Sequence, residues 1–360
     1  GSTEQQCASM KSDSEFQQTE FQVWRNRFPW LHCLRVPGIA LGMQILLVGF
    51  VTSCLLLIVR FSFPEAGQGM GLGIRDFESL LSQPTHSFLE ALSPNATLFQ
   101  LLRRYLGMGS VDFHWGTVLI LLIHILSGLI ICRLAVSQVS RNQGICLERS
   151  TLRAFRSLPS FALSLLFPVL ALGGLQLGIV LITLMDGIPV AGPWLAGAFY
   201  AIEILLILLS ILLVGGLIIG WPLIVASLAA ESGDGFDAWS RAFDFLRARF
   251  LSILLTFGLL IAAGLLIQAV WGEVFKLVWQ EFFEMIAWHQ QTPVERMEYS
   301  FLDVSFREGA RGFIALWHVL TGCLVDGFIR GFYWVSVTTV YLCVRASVDR
   351  VSVREFDESN

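Results

Sequence analysis

Residues 193–222, PWLAGAFYAIEILLILLSILLVGGLIIGWP, carry one charged side chain, Glu203. A stretch this long and this apolar exceeds what the core of a small soluble domain needs. It matches the roughly 20 residues that a helix requires to cross a hydrocarbon layer about 30 Å thick. Five further runs have the same character, at about 38–59, 115–137, 161–185, 250–271 and 313–344. Inside a bilayer the backbone must satisfy its own hydrogen bonds, so runs of this kind form helices. The expected fold is therefore all-α, a polytopic bundle of about six spans. Charged residues make up 14% of the chain, against about a quarter in soluble domains. The net charge of −4 offers no basic surface for nucleic acid.

Two segments repeat. Gly128-Leu129-Ile130-Ile131 matches Gly216-Leu217-Ile218-Ile219, and Arg153-Ala154-Phe155 matches Arg241-Ala242-Phe243, both at an ungapped offset of 88 residues. Each copy reads as the end of a membrane helix, a polar arginine-bearing turn, a short amphipathic helix and a new membrane helix. An even number of spans per copy keeps the copies in the same orientation, a tandem parallel repeat unlike the inverted repeats of many transporters. In the second copy Asp234 occupies an N-cap position with Asp237 three residues on, opening a helix at Gly235. Capping explains Glu231, Asp234 and Asp237 more economically than a cation site does.

Orientation follows from the basic residues. With both termini in the cytoplasm, fifteen lysines and arginines fall on the cytoplasmic side and eight on the other; the remaining one is Arg330, within a span. Both repeated turns are then cytoplasmic. Tryptophans 30, 115, 194, 221, 271 and 317 mark span ends as an aromatic belt. Residues 1–20 lack periodicity and are expected to be disordered. Residues 21–36 mix aromatic and cationic side chains, as an interfacial segment or as a basic flank of the first span.

The external segment 61–113 opens with a Gly-rich linker and is long enough for a role of its own. Its Asn95-Ala96-Thr97 sequon matters only in a eukaryotic secretory route. Asp186–Pro193 is a tight turn that makes spans three and four an antiparallel hairpin. Within 271–288, Phe275, Val278, Phe282 and Ile286 recur at helical spacing, as an amphipathic helix on the outer leaflet or over the bundle. No cleavable signal peptide is expected, because the first apolar run is long enough to remain as an anchor.

Several motifs resemble a family of uncharacterised multi-pass membrane proteins from planctomycete-type bacteria. They are Arg133-Leu-Ala-Val-Ser-Gln-Val, Leu152-Arg-Ala-Phe155, Ile188-Pro-Val-Ala-Gly-Pro193, Gly220-Trp-Pro-Leu223 and Asp237-Ala-Trp-Ser-Arg241. Tyr333-Trp334, Tyr341-Leu-Cys-Val-Arg345 and Val348-Asp349 complete the set, in the family's order, over about 130 to 350. The resemblance implies a bacterial inner-membrane protein of this helix layout and carries no activity.

Motifs for hydrolases, phosphate loops and dinucleotide binding are absent from the chain. The chemistry that remains is intramembrane. A charged residue at mid-bilayer costs about 2.5–3.5 kcal/mol on insertion scales, so each one is a functional candidate. Four lie well inside spans: His124, Glu203, Asp326 and Arg330. Asp326 and Arg330 are i,i+4 and share a helix face, and Glu203 is a candidate second partner for Arg330. A polar relay and a structural ion pair pinning span six to span four are both open; His124 is expected to bond a backbone carbonyl.

Pro168 and Pro222 are expected to kink their helices. Gly173-Gly174, Gly215-Gly216, Gly258 and Gly264 are expected to allow close helix contact. The last span, at about 48 Å of helix, either tilts, breaks near Gly327–Gly331 or continues into the cytoplasm. The seven cysteines include no C-x-x-C pair, and they read as small buried hydrophobes rather than disulfides or zinc ligands. A non-enzymatic protein without cofactor or metal is expected, with lipid and other membrane subunits as partners; a transporter using the midplane residues is the alternative.

Overall fold

The computed structural model describes residues 33–63, 115–141, 146–186, 188, 192–231, 233–290 and 310–349. The expectations for residues 1–32, for the external segment and its sequon, and for most of the 187–191 turn lie outside these residues. Among the described residues there are seven α-helices: α1 (Val36–Ala40), α2 (Met43–Ser62), α3 (Trp115–Arg141), α4 (Leu147–Asp186), α5 (Gly192–Ala230), α6 (Gly235–Gln290) and α7 (Ala310–Val348). Among the described residues there is no strand. Among the described residues five helices are long and apolar enough to cross a membrane, and a bent pair makes up to six. The protein is a multi-pass, all-α integral membrane protein.

The bent pair corrects the first expected span. Instead of one helix over 38–59, Cys33–Ala40 and Met43–Val59 meet at 68°. Pro37 stands at the start of α1, and Gly42 leaves the helical region at φ −56°, ψ 131°. The chain thus turns within the bundle, since Val36 and Ala40 of α1 are already fully buried.

The helices alternate in direction. The C-terminal ends of α5 and α7 meet α3 and the beginning of α6 at one end of the bundle, here the turn end. α7 is the centre. In its most apolar stretch, 94% is buried, against 17% in each of α4, α5 and α6. It is also the least apolar of the five spans. Lipid solvates leucine well and arginine badly, so the helix that carries charge is the one enclosed by the others.

α2 runs antiparallel to α7 and touches it backbone to backbone. A Cβ added at Gly49 would lie 2.1 Å from the Gly327 carbonyl oxygen, and one at Gly327 would lie 2.4 Å from Phe50 N. Gly327 and Gly331 therefore serve close approach, not a break: α7 is continuous from Ala310 to Val348. Three of the glycines expected to make such contacts do not: Gly174, Gly215 and Gly258 have nothing within 4 Å of a Cβ position. Gly216 does meet a neighbour, the Phe243 ring at 3.0 Å.

Pro159 and Pro168 lie inside α4, and Pro222 inside α5. Other expectations change. Trp221 is 2% exposed and meets the Trp334 ring edge-on at 5.6 Å, so it is a core residue and not part of a belt. The residues 271–288 do not form a separate surface helix. They continue α6, whose one non-helical residue is Arg249 (φ −139°, ψ 33°). That residue divides the short helix opening at Gly235 from the membrane helix, close to the expected boundary.

The crossing predicts opposite responses to one added methyl. Gly327→Ala should lower stability by about 1–3 kcal/mol, the cost of overpacking. Gly174→Ala should be neutral or stabilising by up to about 1 kcal/mol, the helix-propensity gain. Thermal unfolding in detergent, followed by loss of the monodisperse peak, distinguishes the two.

Candidate functional site

Three of the four intramembrane residues meet on α7. Arg330 Nε donates to Asp326 Oδ2 at 2.9 Å, one helical turn away. The guanidinium also reaches across to α3, where Arg330 Nη1 lies 2.6 Å from His124 Nε2. His124 Nδ1 in turn lies 2.8 Å from the Ile120 carbonyl oxygen. Arginine can only donate and a carbonyl can only accept, so the bonding assigns His124 the neutral Nδ1–H tautomer, with Nε2 as acceptor. From α2, Ser53 Oγ donates to Asp326 Oδ2 at 2.7 Å.

The Gly49–Gly327 contact makes this last bond possible. Ser53 is one turn beyond Gly49, and a wider helix separation would leave its short side chain out of reach. Arg330 is 3% exposed and His124 2%. The cluster is dry on the side of these two groups, and charge-assisted bonds in such surroundings are strong. Asp326 Oδ1 is the exception, a buried oxygen without a hydrogen-bond partner.

Glu203 is not part of the cluster. It lies half-buried on α5, flanked by the exposed Ile202, Ile204 and Leu205. It makes no hydrogen bond or ion pair among the described residues. In place of the expected Glu203, Arg330 meets His124 beside Asp326. α5 instead approaches α7 nearer the turn end, where Trp221 meets Trp334 and Ser227 meets Tyr341.

A second polar cluster at the turn end was missed in the sequence, where Glu231 read as part of a capping segment. Glu231 is its hub. Its Oε2 pairs with Arg241 of α6. Its Oε1 accepts from the Tyr341 hydroxyl at 2.5 Å and lies 2.7 Å from Arg345 Nη1. The Arg345 contact is a charge pairing without hydrogen-bond alignment. Arg241 also bonds Asp237, so Asp237 serves this arginine, while Asp234 does precede the helix start as expected. Arg133 Nη1 donates to the Ala229 carbonyl at 3.1 Å, closing the C-terminal end of α5. Nearby, a Cβ at Gly128 would fall 2.6 Å from the Trp334 ring, so that glycine is the seat of the indole.

Most of the motifs scattered over 130–350 thus converge here. The signal available in the sequence was an acid placed just beyond the end of a span, between two repeated arginine turns.

Among the described residues no group of three His, Cys, Asp or Glu has the arrangement to hold a metal. What the two clusters can do is hold helices: one fixes α2, α3 and α7 at mid-depth, the other fixes α3, α5, α6 and α7 at the turn end.

Removing one member of the buried pair leaves a charge without its partner. Arg330→Met should cost about 3–5 kcal/mol, and the double change Asp326→Asn/Arg330→Met should recover most of it. Glu203→Gln should leave stability within about 0.5 kcal/mol of the parent. Equilibrium unfolding in mixed micelles measures all three. At the turn end, Tyr341→Phe should cost about 1.5–3 kcal/mol, the value of a hydrogen bond to a charged group, read in the same assay. Comparison of the chain with protein-family models, with curated proteins and with solved structures finds no match.

Proposed function

We propose that the protein is a non-enzymatic component of a membrane assembly, held in a bacterial cytoplasmic membrane with both termini in the cytoplasm. The observation that carries this reading is the mutual pairing of the midplane polar groups. Asp326, Arg330, His124 and Ser53 use one another as partners, as a helix lock does and as a transport path open to its substrate does not. The positive-inside bias supports the orientation. It makes the turn end, with Glu231, Arg241 and Arg345, the cytoplasmic side. The 88-residue repeat is read as a parallel duplication, supported by the burial of the matched Ala154 and Ala242.

In this reading the partners are lipid and other membrane subunits. α4, α5 and α6 present long apolar surfaces, including Leu170, Leu181, Ile204, Leu212 and Leu255. Such surface is at home against lipid tails or against the equally apolar helices of a second membrane protein.

One observation favours a second reading, a transporter. Asp326 Oδ1 is buried without a donor, and an intramembrane carboxylate with a free oxygen is a place for a proton or a substrate N–H.

Gentle extraction followed by native mass spectrometry separates the two. The assembly reading expects a membrane-protein partner in fixed stoichiometry. It also expects no proton or solute flux from the pure protein in liposomes. A protein that runs alone, with a flux that Asp326→Asn abolishes, would overturn it in favour of transport.

A further inference from the structure

α5 changes character along its length. Its turn-end half is core, with Leu217, Trp221, Ile224 and Val225 all buried. Its other half is bare. From Trp194 to Leu209 no described residue of α5 is buried, and only Glu203 and Leu206 are half-buried. Leu206 is the residue that meets α4: a Cβ at Gly178 would lie 3.0 Å from its Cδ1. Tyr200, Ile204, Ile207 and Ile211 recur at i, i+4, i+7 and i+11 and are all exposed. This spacing makes one continuous stripe, turned away from Leu206. One turn beyond Tyr200 the stripe reaches Gly197, where a Cβ would meet nothing within 4 Å, so a further helix can approach closely there.

Glu203 lies on the edge of this stripe, between it and the α4 contact. It is about 14 Å along α5 from Trp194 at helical rise, close to the middle of a hydrocarbon layer about 30 Å thick. Its carboxylate has no hydrogen bond or ion pair among the described residues. At this level α4 carries Ile182 and Thr183, and the Thr183 hydroxyl already donates to the Ile179 carbonyl oxygen at 3.0 Å. Lipid tails supply no counter-charge, and a carboxylate at this depth is costly without one. A second copy of the chain supplies none either. Of the described spans only α7 has a cation at mid-depth, Arg330, which is 3% exposed and engaged with Asp326 and His124. The counter-charge that fits comes from a different protein.

We propose that the stripe from Tyr200 to Ile211 is the docking face for one transmembrane helix of another membrane protein, and that this helix carries an arginine or lysine at mid-depth which pairs with Glu203. The apolar stripe supplies close packing without selectivity, because lipid is equally apolar. The ion pair supplies the selectivity, since a helix with an apolar residue at that depth leaves the carboxylate unpaired. The inference rests on the assembly reading and deepens it, by naming the face and the chemistry of the partner.

The test uses the full chain in lipid nanodiscs, with synthetic Leu-Ala transmembrane peptides that are identical except for a central arginine, leucine or glutamate. Association is read by resonance energy transfer, and a photocrosslinker beside the central residue locates the contact. The arginine peptide should bind about tenfold more tightly than the leucine peptide, as one strong interhelical polar contact allows. The glutamate peptide should bind no better than the leucine one. Crosslinks should map to residues 200–211. Glu203→Gln, which is expected to fold as the parent does, should abolish the arginine preference. Equal binding of the arginine and leucine peptides overturns the proposal, as does an arginine preference that survives Glu203→Gln or crosslinks confined to other helices. Self-association of the chain that Glu203→Gln abolishes overturns the choice of partner in favour of a second copy. Native mass spectrometry separates this inference from the reading beneath it. A partner of fixed stoichiometry that Glu203→Gln retains overturns this face and leaves the assembly reading standing; a chain that runs alone and carries solute flux overturns both.

Discussion

A charged pair inside a bilayer must find its counter-charge and its hydrogen-bond partners within the protein, since lipid supplies neither. Asp326 and Arg330 impose that condition on α7, and the arrangement of the bundle follows from it. α7 takes the central place although it is the least apolar span. α3 must pass close enough for His124 to accept from Arg330. α2 must come close enough for Ser53 to reach Asp326, and two glycines in backbone contact make that distance possible. Buried ion pairs add little net stability compared with apolar packing, but they penalise any other register heavily. In a fold of sliding apolar helices, such a penalty selects one arrangement.

The turn end solves a related problem at the edge of the membrane. Glu231 gathers Arg241, Arg345 and Tyr341 from two helices, and Arg133 closes the end of a third. The two repeated segments are used unequally here. Gly128 receives the Trp334 indole, whereas its counterpart Gly216 receives Phe243 from the following helix of its own copy. The last helix thus breaks the symmetry of the pair by packing into the first copy.

The outer helices are governed by lipid rather than by partners. α4, α5 and α6 expose most of their apolar stretches, and Gly174, Gly215 and Gly258 on them face open space. Glu203 shares that situation, on a helix otherwise suited to hydrocarbon. α1 and α2 differ, since the Gly49–Gly327 backbone contact and the Ser53–Asp326 bond tie the beginning of the chain to its end.

The sequence alone was enough for the membrane class, the all-α fold, the approximate spans and the break near Arg249. These depend on composition and periodicity, which are local. It also placed Asp326 and Arg330 on one face, because i,i+4 spacing is a property of a single helix, and it anticipated a backbone carbonyl for His124. Tertiary structure alone decided which charge meets which. Glu203 and His124 were equivalent candidates at similar depth, and only the rotation and position of α3 and α5 about α7 separate them. The same holds for Gly174 against Gly327 and for Glu231 as cap or hub. Contacts between helices depend on how each is turned about its axis, and an apolar sequence surrounded by lipid leaves that angle open until polar groups and backbone contacts select it.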